Sequence, residues 1–218
     1  MPIVKGSVRE KIAHEAWQAA GSIVLTGEAA TDLAQAVAAD RGFSLARMER
    51  AVALHRRGVY LAAGGAYEPA VAAYAEARRE LVPALANGAG RDVPAAAAQG
   101  RDLLAALDAN TAAALNNLGG RRLEAGDLAG AEAVLRRAAA LAPNAAGVYG
   151  NLGLCLLERA TRARQEGRAA DVPSLLAASR DAFTRALALA GPAARPEETA
   201  FYRRGLDLTA ASPGKPSL

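Results

Sequence analysis

From about Ala51 to Gly191, apolar residues return every three or four positions, and the pattern then stops at a glycine or proline and begins again. That period belongs to amphipathic helices, and the stops belong to the turns between them. Residues 112–145 show it most clearly. Leu115 and Leu118 share one face of a helix that Gly126 ends; Ala131, Leu135 and Ala138 share a face of the next, and Pro143 stops it. Small residues stand on these apolar faces at Gly119, Ala131 and Ala138. Where two helices touch, a large side chain wedges them apart. The spacing therefore predicts an antiparallel hairpin with Gly119 and Ala131 at the crossing and Ala138 against the next hairpin. Gly126 is expected in the left-handed backbone region that other residues avoid.

The same offsets recur from Ala51, with Leu54, Gly58, Leu61, Gly65, Tyr67, Ala70, Tyr74 and Ala77. They recur again from Ala146, with Tyr149, Leu152 and Gly153, then Ser179, Phe183 and Ala186. This spacing resembles the tetratricopeptide repeat (TPR), a helix-turn-helix element of about 34 residues. The resemblance implies an all-α fold: a short right-handed α-solenoid of TPR-like elements with flanking and capping helices. Its repeats are expected at 51–84, 112–145 and 146–191. The third is too long, since 26 residues separate Gly153 from Ser179, where the family spacing is about twelve. About two added helical turns in each arm account for the excess and put Gly167 at the tip of an extended hairpin. Arg122 departs from the family, which places a tyrosine or leucine there; either the helix is locally rotated or the arginine snorkels out.

Around the repeats the pattern predicts further helices. Residues 1–50 are expected to hold N-terminal helices over Ser7–Ala20 and Thr31–Ala39, with Ser44 capping a helix that runs into the first repeat. An insert at 85–111 carries a helix from about Pro94, either separate or continuous with the helix near Ala112. "DVP" stands at 92–94 and again at 171–173, each time opening a helix, where a proline's missing N–H costs nothing. Residues 195–210 read as a capping helix, which a repeat array needs over its last apolar face. Residues 211–218 read as a disordered tail.

Composition supports the helical reading: hydrophobic residues make up 52% but aromatics only 4%, and alanine fills the gap. Alanine favours helices and close packing over a sandwich or barrel. The formal charge of +4 raises the question of nucleic acid. Acidic residues lie among the arginines, however, and no run of five or six like charges occurs, so a mixed solvated surface is expected and nucleic acid is a subordinate reading. One cysteine, Cys155, excludes an internal disulfide. The charged N-terminal stretch lacks a secretory core and no apolar run is long enough to span a bilayer, so a cytoplasmic location is expected.

No catalytic constellation appears, and the expectation is a non-enzyme without cofactor or metal. His14 and His55 have no carboxylate or cysteine at ligand spacing. Cys155 stands where the repeat usually has alanine and reads as a buried small hydrophobe. Trp17, on an amphipathic helix, reads as core or cap. "GAGRD" has no preceding strand and lacks the Lys-Ser/Thr ending of a phosphate loop.

The resemblance implies a binding face instead. In such arrays the first helix of each repeat lines a concave groove, here with His55 and Val59, then Asn116, Asn117, Gly120 and Leu123, then Asn151, Leu154 and Leu157. Gly150 falls on the same face. The floor is small and apolar with amides, which suits a peptide. "LNNLG" and "GNLG" are similar to words in the repeat domain of the nucleocytoplasmic GlcNAc transferase, where asparagines hold a peptide backbone. That likeness implies such a role for Asn117 and Asn151, because an amide both donates and accepts. Co-chaperone members clamp an acidic C-terminus with a lysine and an asparagine at positions that are His55 and Val59 here, so that clamp is absent. The expected function is a protein-protein interaction adaptor or scaffold that holds a partner's extended or helical segment. The alternatives are a nucleic-acid binder using Arg56–Arg57, Arg121–Arg122 and Arg136–Arg137, or a self-assembling scaffold.

Overall fold

The computed structural model of the protein describes Thr31 and residues 44–86, 94–192 and 194–210. The helices read at Ser7–Ala20 and over most of Thr31–Ala39, with His14, Trp17 and the 211–218 tail, lie outside the described residues. Among the described residues seven α-helices follow in order: α1 (Ser44–Ala63), α2 (Tyr67–Ala86), α3 (Pro94–Glu124), α4 (Leu128–Leu141), α5 (Ala146–Gln165), α6 (Val172–Ala190) and α7 (Pro196–Ala210). A 3₁₀ turn at Ala169–Asp171 precedes α6. The chain divides into two compact units, Met1–Thr111 and Ala112–Leu218. Among the described residues there is no strand, and the protein is an all-α array of TPR-like hairpins.

The open question of the insert is resolved: the helix from Pro94 is continuous with the first helix of the second repeat, and α3 is one helix of 31 residues. α1 likewise begins at Ser44, so seven residues precede Ala51 in the same helix.

In each hairpin the glycine of the first helix faces the same position of the second. A methyl group on Gly58 would run into the Tyr74 ring, one on Gly119 would lie 2.5 Å from Leu135 Cγ, and one on Gly153 would lie 2.9 Å from the Phe183 ring. The expected small positions Ala70, Ala131 and Ser179, and then Ala77, Ala138 and Ala186, are all fully buried. Ser179 carries a hydroxyl into that crossing and satisfies it by donating to the Gly153 carbonyl at 2.7 Å, which removes the cost of a buried polar group. The three turns use Gly65, Gly126 and Gly167 with φ of 77°, 75° and 76°.

In the second unit, Asp127 caps α4 by accepting from the Gly130 N–H at 2.9 Å. Arg122 snorkels to this turn and donates to the Gly130 carbonyl at 3.3 Å. Of the two readings, the second holds. α5 and α6 extend past the length of the second hairpin, and small buried residues, Ala160 and Ala163 with Val172, let the arms close. The extension also grips the hairpin before it: Arg162 donates to the Gly126 carbonyl at 3.2 Å and Arg159 pairs with Glu132. α7 packs on α5 and α6 through two further close approaches, Tyr202 over Gly150 and the tip of the Phe183 ring over Gly205.

In the first unit, α1 and α2 are joined above their crossing by ion pairs. Arg50 bonds Glu76 at 2.6 Å and also meets Glu80, which Arg47 bonds at 2.9 Å. Arg78 of α2 pairs with Asp108 of α3.

Candidate partner-binding face

The residues expected to line a groove fall into three groups. His55 and Val59 belong to the first unit. Val59 is exposed. His55 is half-buried; its Nε2 lies 2.9 Å from the Asn110 side-chain amide and its ring is tilted against Tyr74 with centroids 5.9 Å apart. Burial and the neighbouring Arg56 charge lower its pKa. The Asn110 amide nitrogen can only donate, so this His55 nitrogen is the acceptor and the contact favours the neutral ring. His55 is a packing residue of its own unit.

The second group packs against neighbouring helices: Leu123 and Leu154 are half-buried and Gly150 is buried. Leu123 packs against the cluster of Ala131, Leu135, Leu152 and Cys155, and Leu154 packs against that of Tyr149, Phe183 and Tyr202. Gly150 is buried under Tyr202. Helical offset places all three residues on the first-helix face. What it does not show is that α7 covers that face at Gly150 and Leu154.

The third group stays open. Asn117 is exposed, and Asn116, Gly120, Asn151 and Leu157 are half-exposed. A Cβ on Gly120, or on Gly147 of α5, would meet nothing within 4 Å, so small residues there leave a free surface instead of admitting a neighbouring helix. Asn151 donates its amide to Asn116 Oδ1 at 3.0 Å, joining α5 to α3 across 35 residues of sequence. The expected pairing of roles, Asn117 with Asn151 and both amides free, is therefore different in the structure: Asn116 takes the contact and Asn117 stands beside it. The signal was the doublet in "LNNLG", which offers two candidates where "GNLG" offers one. The bond uses one N–H and one carbonyl lone pair. Asn116 keeps its N–H₂ and Asn151 keeps its carbonyl, so the pair still presents a donor and an acceptor.

Cys155 takes no part in the open surface. It is buried, its thiol donates to the Leu128 carbonyl at 3.3 Å, and burial pushes its pKa up to about 11. It packs as the small hydrophobe expected. Among the described residues no three His, Cys, Asp or Glu side chains gather as metal ligands. No helix among them is long and apolar enough to cross a membrane.

No family model matches the chain, and no curated protein matches it. Among solved structures the chain is similar to the crystal structure of YrrB, described as a TPR protein with an unusual peptide-binding site. The identity is 16%, the match covers 82% of this chain and 93% of that one, and the TM-score is 0.25. Likeness at that score says nothing about the site. The class rests on the chain itself: three hairpins, each with a glycine against an aromatic or leucine, fully buried small residues at two fixed offsets, and a left-handed glycine at the turn.

Proposed function

We propose that the protein is a non-catalytic adaptor that holds an extended segment of a partner protein against the open face of α3 and α5. The observation that carries this reading is the Asn151–Asn116 bond. It fixes both half-exposed side chains and leaves the Asn116 N–H₂ and the Asn151 carbonyl for a passing peptide unit, which requires one donor and one acceptor. Gly120 and Gly147 keep the surface around them low enough for a backbone to approach. Asn117 adds a third amide with no partner among the described residues. The site reads backbone and so tolerates many sequences, as suits an adaptor; a cytoplasmic setting is part of the same proposal.

The arginine pairs support nucleic acid less well, because Arg122 is engaged at the Gly130 turn and Arg136 bonds Glu132 at 2.7 Å.

The test uses a segment recovered by pull-down from the native host and titrated calorimetrically. Each lost amide contact costs about 0.5–1.5 kcal/mol, so Asn116→Ala with Asn151→Ala weakens binding about five- to a hundredfold. Folding is kept, since alanine suits a helix better than asparagine. Unaltered affinity in that double variant refutes the amide reading. Nucleic-acid binding that falls steeply with salt would favour the alternative.

A further inference from the structure

We propose that the unit Ala112–Leu218 carries a second docking site, built for a protein segment that places an aliphatic side chain beside a carboxylate. It is a cavity of about 280 Å³ bounded by α4, α5 and α6, with a floor of Leu152, Leu156, Ala178 and Ala182. Arg136, Asp181 and Arg185 stand around it. On α5, at 100° per residue, Tyr149, Leu152 and Leu156 lie about 100–160° around the helix from Asn151. The cavity is therefore separate from the amide face and does not depend on its assignment.

Arg185 supplies the chemistry. Its guanidinium lies over the Tyr149 ring at 4.4 Å from the centroid and donates one N–H to the Pro143 carbonyl at 3.2 Å. Both contacts hold the group in place, and neither neutralises it. No carboxylate among the described residues pairs with it, not even Asp181 four residues earlier on the same helix. A guanidinium has five N–H donors, so a fixed fork remains for an incoming anion. Arg136 stands near with its Nε committed to Glu132 at 2.7 Å, and Glu132 is itself shared with Arg159. Asp181, an acceptor only, suits a backbone N–H of the same segment.

Size selects the occupant. Sites for free small molecules run from roughly 300 to 1,000 Å³. At about 280 Å³ this cavity stands at the lower end of that range and is open on one side, which suits one anchoring side chain delivered by a larger partner. The complementary segment has leucine or isoleucine next to glutamate or aspartate: the aliphatic group on the floor, the carboxylate on Arg185.

The experiment titrates the full chain, followed by amide NMR, with acetyl-Ala-Leu-Glu-Ala-amide and with the same peptide carrying glutamine for glutamate. The acidic peptide is expected to shift the amides of Ala178 and Ala182 and to bind about tenfold more tightly than the neutral one. Arg185→Gln should remove that preference. Because Arg185 also holds Tyr149, a second variant fills the cavity without touching the charge: Ala178→Leu should abolish binding of both peptides with the fold intact. Equal affinity for the two peptides, wild-type binding by Ala178→Leu, or no shifts at millimolar peptide would each overturn the proposal.

Discussion

The first hairpin, α1–α2, and the third, α5–α6, share one crossing and are lengthened in opposite senses. Gly58 meets Tyr74 in one and Gly153 meets Phe183 in the other, with fully buried alanine or serine at the same offsets on either side. The first hairpin gains its length at the open end, where α1 starts at Ser44, and Arg47 and Arg50 are tied there to Glu76 and Glu80. The third gains its length at the closed end, where Ala160, Ala163 and Val172 form a seam of small apolar residues. The crossing fixes the hairpin; what lies beyond it is set by local composition, charged in one case and apolar in the other.

The comparison breaks most severely at its common element. Gly58→Leu and Gly153→Leu should each destabilise their hairpin by about 2–3 kcal/mol, since a side chain at either site overlaps a buried ring. Denaturant melts that are unchanged would show that the crossing is not what holds the hairpins. Next in size is the apolar extension. Deleting residues 158–164 and 169–175 removes about two turns from each arm and preserves the faces. The array should stay folded, at a cost of about 2–3 kcal/mol for the lost burial of Ala160, Ala163, Val172 and Leu175 and the lost Arg159 and Arg162 contacts. Circular dichroism showing wholesale loss of helix would make the extension part of the core.

The ionic extension should yield less. Glu80→Gln leaves two arginines short of one carboxylate and should cost about 1 kcal/mol at low salt. High salt should shrink that difference and should shrink the cost of the α5–α6 deletion less, because that deletion removes buried apolar residues together with the Arg159–Glu132 pair. The smallest effect is at His55. Its folded pKa lies below the unfolded value of 6.5, so as pH falls through 6.5 the unfolded chain binds the proton first and stability drops. Thermal melts between pH 7.5 and 5.5 should show this decline in the wild type and a flatter profile in His55→Gln.

Most of the hairpin geometry was legible in the sequence because it rests on offsets within one chain segment. Gly153 to Gly167 and Gly167 to Ser179 are each seven residues longer than their counterparts around Gly126, so two whole turns were added to both arms and every face kept its direction. The candidate face was less legible. Offset assigns Gly150, Leu123 and Leu154 to the first-helix side, yet whether that side meets solvent depends on which neighbour arrives. Tyr202 reaches Gly150 from more than fifty positions away, and no periodicity within α5 announces it. The amide contact was half legible: the asparagines were visible, but which of Asn116 and Asn117 faces Asn151 depends on how the two helices are rotated. The continuity of α3 was left open because nothing between Pro94 and Ala112 forbids a helix and nothing there demands one.

One aromatic ring bears on how the end of the array comes apart. The inner carbons of Phe183 rest on Gly153 and its outer carbons on Gly205, so the same side chain closes the third hairpin and seats the last helix. Linear repeat arrays ordinarily fray from their ends, one element after another. Here the last helix cannot peel away alone without uncovering Phe183 and baring Tyr202, and the hairpin cannot open without losing the surface on which α7 lies. The terminal three helices should therefore exchange their amide protons as one block, with protection in α7 following that of α5 and α6.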